Sequence, residues 1–367
     1  MTTATEPYVL NIGPQHPSTH GVFRIRVVMD GERIQDIDMI VGYLHRSMEK
    51  LAEERTYTQN IPFTDRADYL AAMSGNLGYC LAVERLAGVE VPERASYLRV
   101  IFAELQRIAS HSLANGTFIN DAGAWQTPLM YMFRERERIL DLFEMTCGAR
   151  LTTNYMRIGG VAFDPPPEFY PAVNALVDEL PERIDEYAEL LVDNEILIAR
   201  SRGIGVISAD AAINGSLVGP MLRGSGVPWD LRKADPYCGY EKLDFDIPVG
   251  RNGDCYDRFL VRMEEVRQSV HILEQLIDNI PDGPWLANLP LHIRPPVGEA
   301  YARVESPRGE LGFYVISDGG PTPYRFHCRP PSLINLTALR DMTIGGTLAD
   351  AIVTLGSIDI IVGEIDR

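Results

Sequence analysis

Residues 93–113 read ERASYLRVIFAELQRIASHSL. Leu98, Ile101, Phe102, Leu105 and Ile108 recur at steps of three and four, so they share one stripe of an α-helix. Pro92 stands just ahead of the stretch, where its missing N–H costs little. The same period runs through Leu129–Met145 and through Tyr256–Ile280, by way of Phe259, Leu260, Met263, Val266, Val270, Leu273 and Ile277. These stripes predict a buried helical core between about residues 44 and 281. The flanks read differently. Tyr8–Ile12, Val22–Met29 and Ile34–Ile40 alternate or are rich in aromatic and β-branched residues, and Asp30-Gly31 marks a tight turn. Ala300–Val304, Leu311–Ser317 and Tyr324–Cys328 are short strands between Gly and Pro turns, and an apolar tail closes the chain. The expected architecture is α+β, a helical bundle core flanked by small antiparallel sheets. It divides into residues 1–42 (sheet), 43–297 (helical core) and 298–367 (strands and a tail packing back on the core).

Composition narrows the function. The chain has 367 residues, 46% hydrophobic and 23% charged, which excludes a disordered chain, a collagen and a coiled coil. With 34 basic and 51 acidic residues the net charge is −17, which argues against nucleic acid as a partner and against docking on anionic lipid by charge alone. Only Lys50, Lys233 and Lys242 are lysines, so 31 of the 34 basic residues are arginine, the cation better suited to buried polar contacts. The five cysteines, Cys80, Cys147, Cys238, Cys255 and Cys328, form no CxxC pair and read as reduced, buried structural thiols. Met1–Pro7 has no basic stretch followed by an apolar core, so no signal peptide is expected. The longest apolar run, Ile344–Val362, contains Asp350 and Asp359, so no membrane span is expected either. A GxG at Gly203 and Gly205 lacks its third glycine, and no GxxxxGK[ST], GxSxG or HExxH occurs. A kinase, a simple serine hydrolase, a zinc protease and a Rossmann dinucleotide enzyme are all disfavoured.

The most informative loop is Gly13-Pro14-Gln15-His16-Pro17-Ser18-Thr19-His20-Gly21-Val22. His16 and His20 are four apart, but Pro17 between them disfavours a helical metal-ligand pair. On the residues alone, two histidines bonding a tight turn is the simpler reading, stronger for His16 than for His20. A second cluster is GYLHRSMEK (42–50), followed by Arg66-Ala67-Asp68-Tyr69. These stretches, together with RVESPRGELG (303–312), RPPSLINL (329–336) and the closing VGEIDR, resemble the D-type subunit of the NADH:quinone oxidoreductase of respiratory chains, complex I, which has an H-type counterpart in chloroplasts and cyanobacteria. The resemblance runs from about residue 8 to the last residue.

The resemblance implies a peripheral-arm subunit on the cytoplasmic side of the cell inner membrane. It implies a quinone cavity shared with an iron–sulfur subunit that holds the terminal [4Fe–4S] cluster, further peripheral-arm partners, and a membrane-arm subunit where quinone enters. It implies quinone as substrate, no cofactor or metal held by this chain, and coupling of electron transfer to proton translocation. The head-group histidine and tyrosine of the family fall on His20 and Tyr69, and the aspartate that pairs with the histidine on Asp121. Those residue types suit the chemistry, because a phenol and an imidazole can each hydrogen-bond one quinone oxygen and deliver a proton, and a carboxylate orients and charges the imidazole. Without the resemblance, Asp121 reads as a helix cap and Tyr69 as a core aromatic. Arg46 and Arg66 match arginines near the cluster, where positive charge favours the reduced state; for Arg46 a salt bridge to Glu49 or Glu53 is the simpler alternative. Asp359 matches a position near quinone and cluster, and as a carboxylate in an apolar tail it needs a partner.

The resemblance also implies the fold of the nickel–iron hydrogenase large subunit. The two CxxC nickel sites of those enzymes are absent here, since the tail reads DIIVGE (359–364) and Ile61–Asp68 has no cysteine. Two departures from the family stand out: Thr152-Thr153 replaces a histidine found before NYxRxGG in many members, and Gly283–Pro296 is shorter. Two alternatives stay open, an equivalent complex fed by ferredoxin or reduced deazaflavin, and a non-catalytic scaffold.

Overall fold

The computed structural model describes residues 6–123 and 127–367, with the side chain of Ser18 excepted. Most of Met1–Pro7 therefore lies outside the described residues. The central helix spans Glu93–Asp121, eight residues beyond Leu113. At 1.5 Å per residue its 29 residues reach about 43 Å. It packs against the Thr127–Cys147 helix, the Cys255–Ile277 helix and the Leu348–Ile358 helix. Because neighbours surround it, the helix is buried on every side: Leu98, Val100, Ile101, Phe102, Leu105 and Ile108 are fully buried, and so are Arg99, Glu104, Arg107 and His111. Phe102 carries an aromatic stack, its ring 4.3 Å from Tyr155 and 5.0 Å from Phe169.

The N-terminal sheet has the order β1 (Tyr8–Ile12), β2 (Arg24–Asp30), β3 (Arg33–Ile40), all antiparallel. Asp30 pairs with Arg33, so the turn is Gly31-Glu32 rather than Asp30-Gly31. Gly31 takes the positive φ of 59° that such a turn demands. A two-stranded pair, β4 (Met156–Arg157) and β5 (Gly160–Val161), lies inside the zone read as helical. The second three-stranded sheet is β6 (Gly298–Ser306), β7 (Gly309–Ser317), β8 (Arg325–Arg329). It lies on the Ala72–Ala87 helix, with Phe313 and Val304 against Gly78.

The apolar tail is helical, Leu348–Ile358 and Val362–Asp366, broken at Asp359. It covers the N-terminal sheet: Phe23, Val27 and Ile37 share a core with Leu355, Ile358, Val362 and Ile365. The two ends of the chain are thus packed together. Cys80, Cys255 and Cys328 are buried, whereas Cys147 and Cys238 are only partly so, which corrects the expectation that all five are buried. No helix among the described residues is long and apolar enough to cross a membrane.

Candidate functional site

The loop after β1 is held by its own backbone. Pro17–Thr19 makes one 3₁₀ turn, and the buried Thr19 hydroxyl lies 2.7 Å from the His16 carbonyl and 2.8 Å from that of Gly21. The carbonyl of His16 closes the turn, while His20 leaves it in a left-handed conformation, φ 52°. Gly21 lets the loop lie directly on the tail, since a Cβ there would come 2.6 Å from Val362. His20 is thereby aimed at the far end of the central helix, where its Nε2 lies 2.5 Å from Asp121 Oδ2. Burial lowers the His20 pKa, but the Asp121 hydrogen bond and the charges of Asp121 and Asp359 outweigh it, and the net shift is upward. Asp121 is the last residue of its helix, as the cap reading has it, and its carboxylate is committed to His20.

Tyr69 follows the Tyr57–Ala67 helix, which starts on a Thr56–Gln59 capping box. It is 43% exposed, so it is not a core aromatic. Its hydroxyl has no hydrogen-bond partner among the described residues. Burial, then the charge of Asp68, raises its pKa. The neighbouring Asp68 is buried and receives Arg308 Nη1 at 2.6 Å, along with the N–H groups of Leu70 and Ala71. Arg308, in the β6–β7 turn, also donates from Nε to the Asp359 carbonyl at 2.9 Å and from Nη2 to Asp359 Oδ1 at 3.4 Å. Asp359 has the partner its apolar surroundings call for. Its charge acts on both His20 and Tyr69, so His20, Asp121, Asp359 and Tyr69 form one electrostatic neighbourhood.

Arg46 and Arg66 meet at the start of the same 66–69 segment. Arg46 Nη2 donates to the Arg66 carbonyl at 3.0 Å, and its N–H to the Arg367 carbonyl at 3.2 Å. Both are exposed, and neither pairs with a carboxylate among the described residues. The alternative salt bridge of Arg46 is not formed: Glu49 pairs with Arg325, His327 and Arg367, and Glu53 with Lys50 and Arg325. Of the Thr152-Thr153 pair, Thr153 is buried, and the N–H of Asn154 beside it donates to Asp65 at 2.9 Å. Gly283–Pro296 runs beside the β4–β5 pair, with the Val161 N–H donating to the Trp285 carbonyl at 2.9 Å.

The sequence does not single out Arg308, Asp68 or Asp65. All three lie within or beside the motifs that carry the resemblance, but Arg308 and Asp68 are 240 residues apart, and only the fold brings them together.

Comparison with known proteins gives the family. Residues 121–293 and 288–367 match the family model for the 49 kDa subunit of respiratory-chain NADH dehydrogenase. A protein of Dehalococcoides mccartyi, named as the D-type subunit of NADH-quinone oxidoreductase, is 56% identical over the whole of both chains. A protein of the same name from a Roseiflexus species is 54% identical over 99% of each chain, and that of Clostridium beijerinckii is 50% identical over 99% of this chain and 98% of its own. The chain belongs to the family of the 49 kDa subunit of respiratory-chain NADH dehydrogenase, the D-type subunit of NADH-quinone oxidoreductase.

Proposed function

We propose that the chain forms one wall of the quinone-reducing cavity of complex I. As a member of its family it is part of that oxidoreductase complex of the respiratory chain, and its partners are other subunits of the complex. The other wall, in this reading, is the iron–sulfur subunit with the terminal [4Fe–4S] cluster, quinone enters beside a membrane-arm subunit, and reduction is coupled to proton translocation. The complex is then the NADH-driven one, and the chain is peripheral, on the cytoplasmic side of the inner membrane. The observation that carries the proposal is the shared neighbourhood of His20, Asp121, Asp359 and Tyr69.

Reduction of a quinone to a quinol takes two electrons and two protons. The electrons would come from the cluster of the partner subunit, and this chain's own part is to hold the quinone and move protons. Arg46 and Arg66, two exposed guanidiniums without carboxylate partners among the described residues, suit a place beside a centre that gains negative charge on reduction. On this chain, the Tyr69 hydroxyl is available to donate to one quinone oxygen. His20 has Nε2 committed to Asp121, which leaves Nδ1 for the other. The upward shift of the His20 pKa, from the Asp121 hydrogen bond and the charges of Asp121 and Asp359, favours the imidazolium form, which can give a proton as negative charge grows on the oxygen. Burial and the charge of Asp68 raise the Tyr69 pKa, so the phenol stays neutral and can donate its hydrogen bond to the quinone.

Tyr69→Phe in the assembled complex is expected to cut quinone reduction at least about tenfold while NADH oxidation by an artificial acceptor persists. Near-normal quinone turnover would overturn the proposal. A scaffold without chemistry would instead show no displaceable binding of a quinone-site inhibitor and unchanged activity in His20→Ala.

A further inference from the structure

Seven arginines are among the largest fully buried side chains of the molecule. Five are matched by carboxylates: Arg99 by Glu84, Arg107 by Glu104, Arg223 by Glu265 and Glu305, Arg232 by Glu104 and Asp230, Arg308 by Asp68 and Asp359. Arg258 and Arg262 are not. They lie one turn apart on the Cys255–Ile277 helix, and no carboxylate comes within ion-pair distance of either among the described residues. Arg258 donates from Nε to Ser357 Oγ at 3.0 Å, and to the carbonyls of Gly253 and Gly205 at 3.0 and 2.9 Å. Arg262 Nη2 donates to the Ser357 carbonyl at 2.7 Å, and its Nε is buried without a partner. A buried cation held only by neutral groups is costly, and it leaves a positive potential around it.

Both guanidiniums point at one short segment. Gly356 is pressed against Asp121, since a Cβ there would stand 2.5 Å from Asp121 Oδ2. Ser357 takes both arginines. Asp359, left-handed at φ 60° and with a side chain 10% exposed, meets Arg308 with Oδ1, while Oδ2 is buried without a hydrogen-bond partner. Residues 356–359 therefore touch the His20–Asp121 side of the site, the Tyr69–Asp68 side through Arg308, and the two unmatched arginines behind.

We propose that Arg258 and Arg262 are positioning residues of the quinone-reducing site, fixing the Ser357–Asp359 turn and supplying behind it a positive charge that no carboxylate contacts directly. This rests on the quinone-site reading of His20 and Tyr69. A fixed cation in the wall stabilises negative charge arriving on the substrate more than it stabilises the neutral substrate, so it acts on turnover rather than on binding. It also lowers the proton affinity of every group near it. The charged and titratable groups that face Arg262 are Asp359, Arg258, Glu265, Arg308 and His111. Beyond Asp359 lie His20 and Tyr69. Burial pulls the Arg262 pKa down to about 10, with Asp359 opposing, so the charge is present at neutral pH.

The test is the pH profile of quinone reduction by assembled complexes carrying R262Q and R262K. R262Q is expected to lower kcat about tenfold with KM changed less than about threefold, and to move the pH profile upward by on the order of one unit. R262K is expected to rescue turnover at low pH and to lose it as the pH rises, because burial lowers the pKa of a lysine ammonium far more readily than an arginine loses its proton. An assembled R262Q complex with the wild-type pH profile overturns the proposal, whatever its kcat. If R262Q does not assemble, R262K decides: a loss independent of pH overturns it. Tyr69→Phe measured alongside separates the two failures. If that variant turns over normally, the reading of the site falls; if it is impaired and the Arg262 profiles stay unmoved, only the role of the arginines falls.

Discussion

Asp65 stands in the last turns of the helix that delivers Tyr69, and it is fully buried. Its Oδ2 accepts the Asn154 N–H, while Oδ1 has no hydrogen-bond partner among the described residues. Burial pushes its pKa up to about 7, against the backbone N–H of Asn154, the nearby Asn76 side chain and the charges of Arg66 and Arg157. The sign for stability follows. Below about pH 4 the carboxyl is protonated in both folded and unfolded chains. Between about 4 and 7 the unfolded chain releases the proton and the folded chain keeps it, so stability falls as the pH rises, and it levels off above that range. The full loss from this one group is at most about 4 kcal/mol. Asp65→Asn keeps a carbonyl acceptor for Asn154 and removes the ionisation. Its urea midpoint is expected to fall less between pH 4.5 and 7.5 than that of the wild type. Parallel curves for the two proteins would show that Asp65 does not titrate in this range.

At the scale of elements, the contact between the Leu348–Ile358 helix and the central helix governs how Asp121 meets His20. Gly356→Ala adds a Cβ that improves helix propensity by about 1 kcal/mol, yet it falls on the Asp121 carboxylate. Asp121 is the group free to give way, so the variant is expected to fold, to assemble and to lose quinone reduction about tenfold by weakening the His20–Asp121 pair. Wild-type turnover in an assembled Gly356→Ala complex would show that this contact is not needed. The helices themselves are legible because a 3.6-residue period is a local signal, and it locates the central helix through residue 113, eight residues short of Asp121 at its end. The hairpins are legible from alternation, except that the paired Asp30–Arg33 moves the turn by one residue. The polar half of the site is legible only in part. The stripe through Phe259, Met263 and Val266 passes over Arg258, Arg262 and Glu265, which are just as buried. Whether a charged residue is buried depends on a partner elsewhere in the chain, and no local period records that partner. His20, Asp121 and Tyr69 come from the resemblance; residue chemistry alone favours plainer readings of Asp121 and Tyr69.

For the whole molecule, the arginine bias has a structural counterpart. A fully buried ionic network crosses the core: Arg223 reaches Glu265 at 2.6 Å and Glu305 at 2.8 Å, Arg232 reaches Asp230 at 2.6 Å and Glu104 at 3.2 Å, and His111 meets Glu265 at 2.7 Å. It ties the central helix, the Cys255–Ile277 helix, the short Pro220–Gly224 and Leu231–Ala234 helices and strand β6 into one unit. A chain with net charge −17 holds these carboxylates in its interior only because planar guanidiniums with several donors can serve two or three of them at once. Such a network need not add stability compared with an apolar core, but removing one member leaves the others charged and unmatched. Arg223→Met is therefore expected to destabilise the chain by about 3–5 kcal/mol, read as a lower urea midpoint. Arg223→Lys is expected to recover only part of the loss, because one ammonium cannot replace donors aimed separately at Glu265 and Glu305. A midpoint within about 1 kcal/mol of wild type for Arg223→Met would mean that protons redistribute among Glu265, Glu305 and Asp230 without cost, and that apolar packing alone holds the helices to β6.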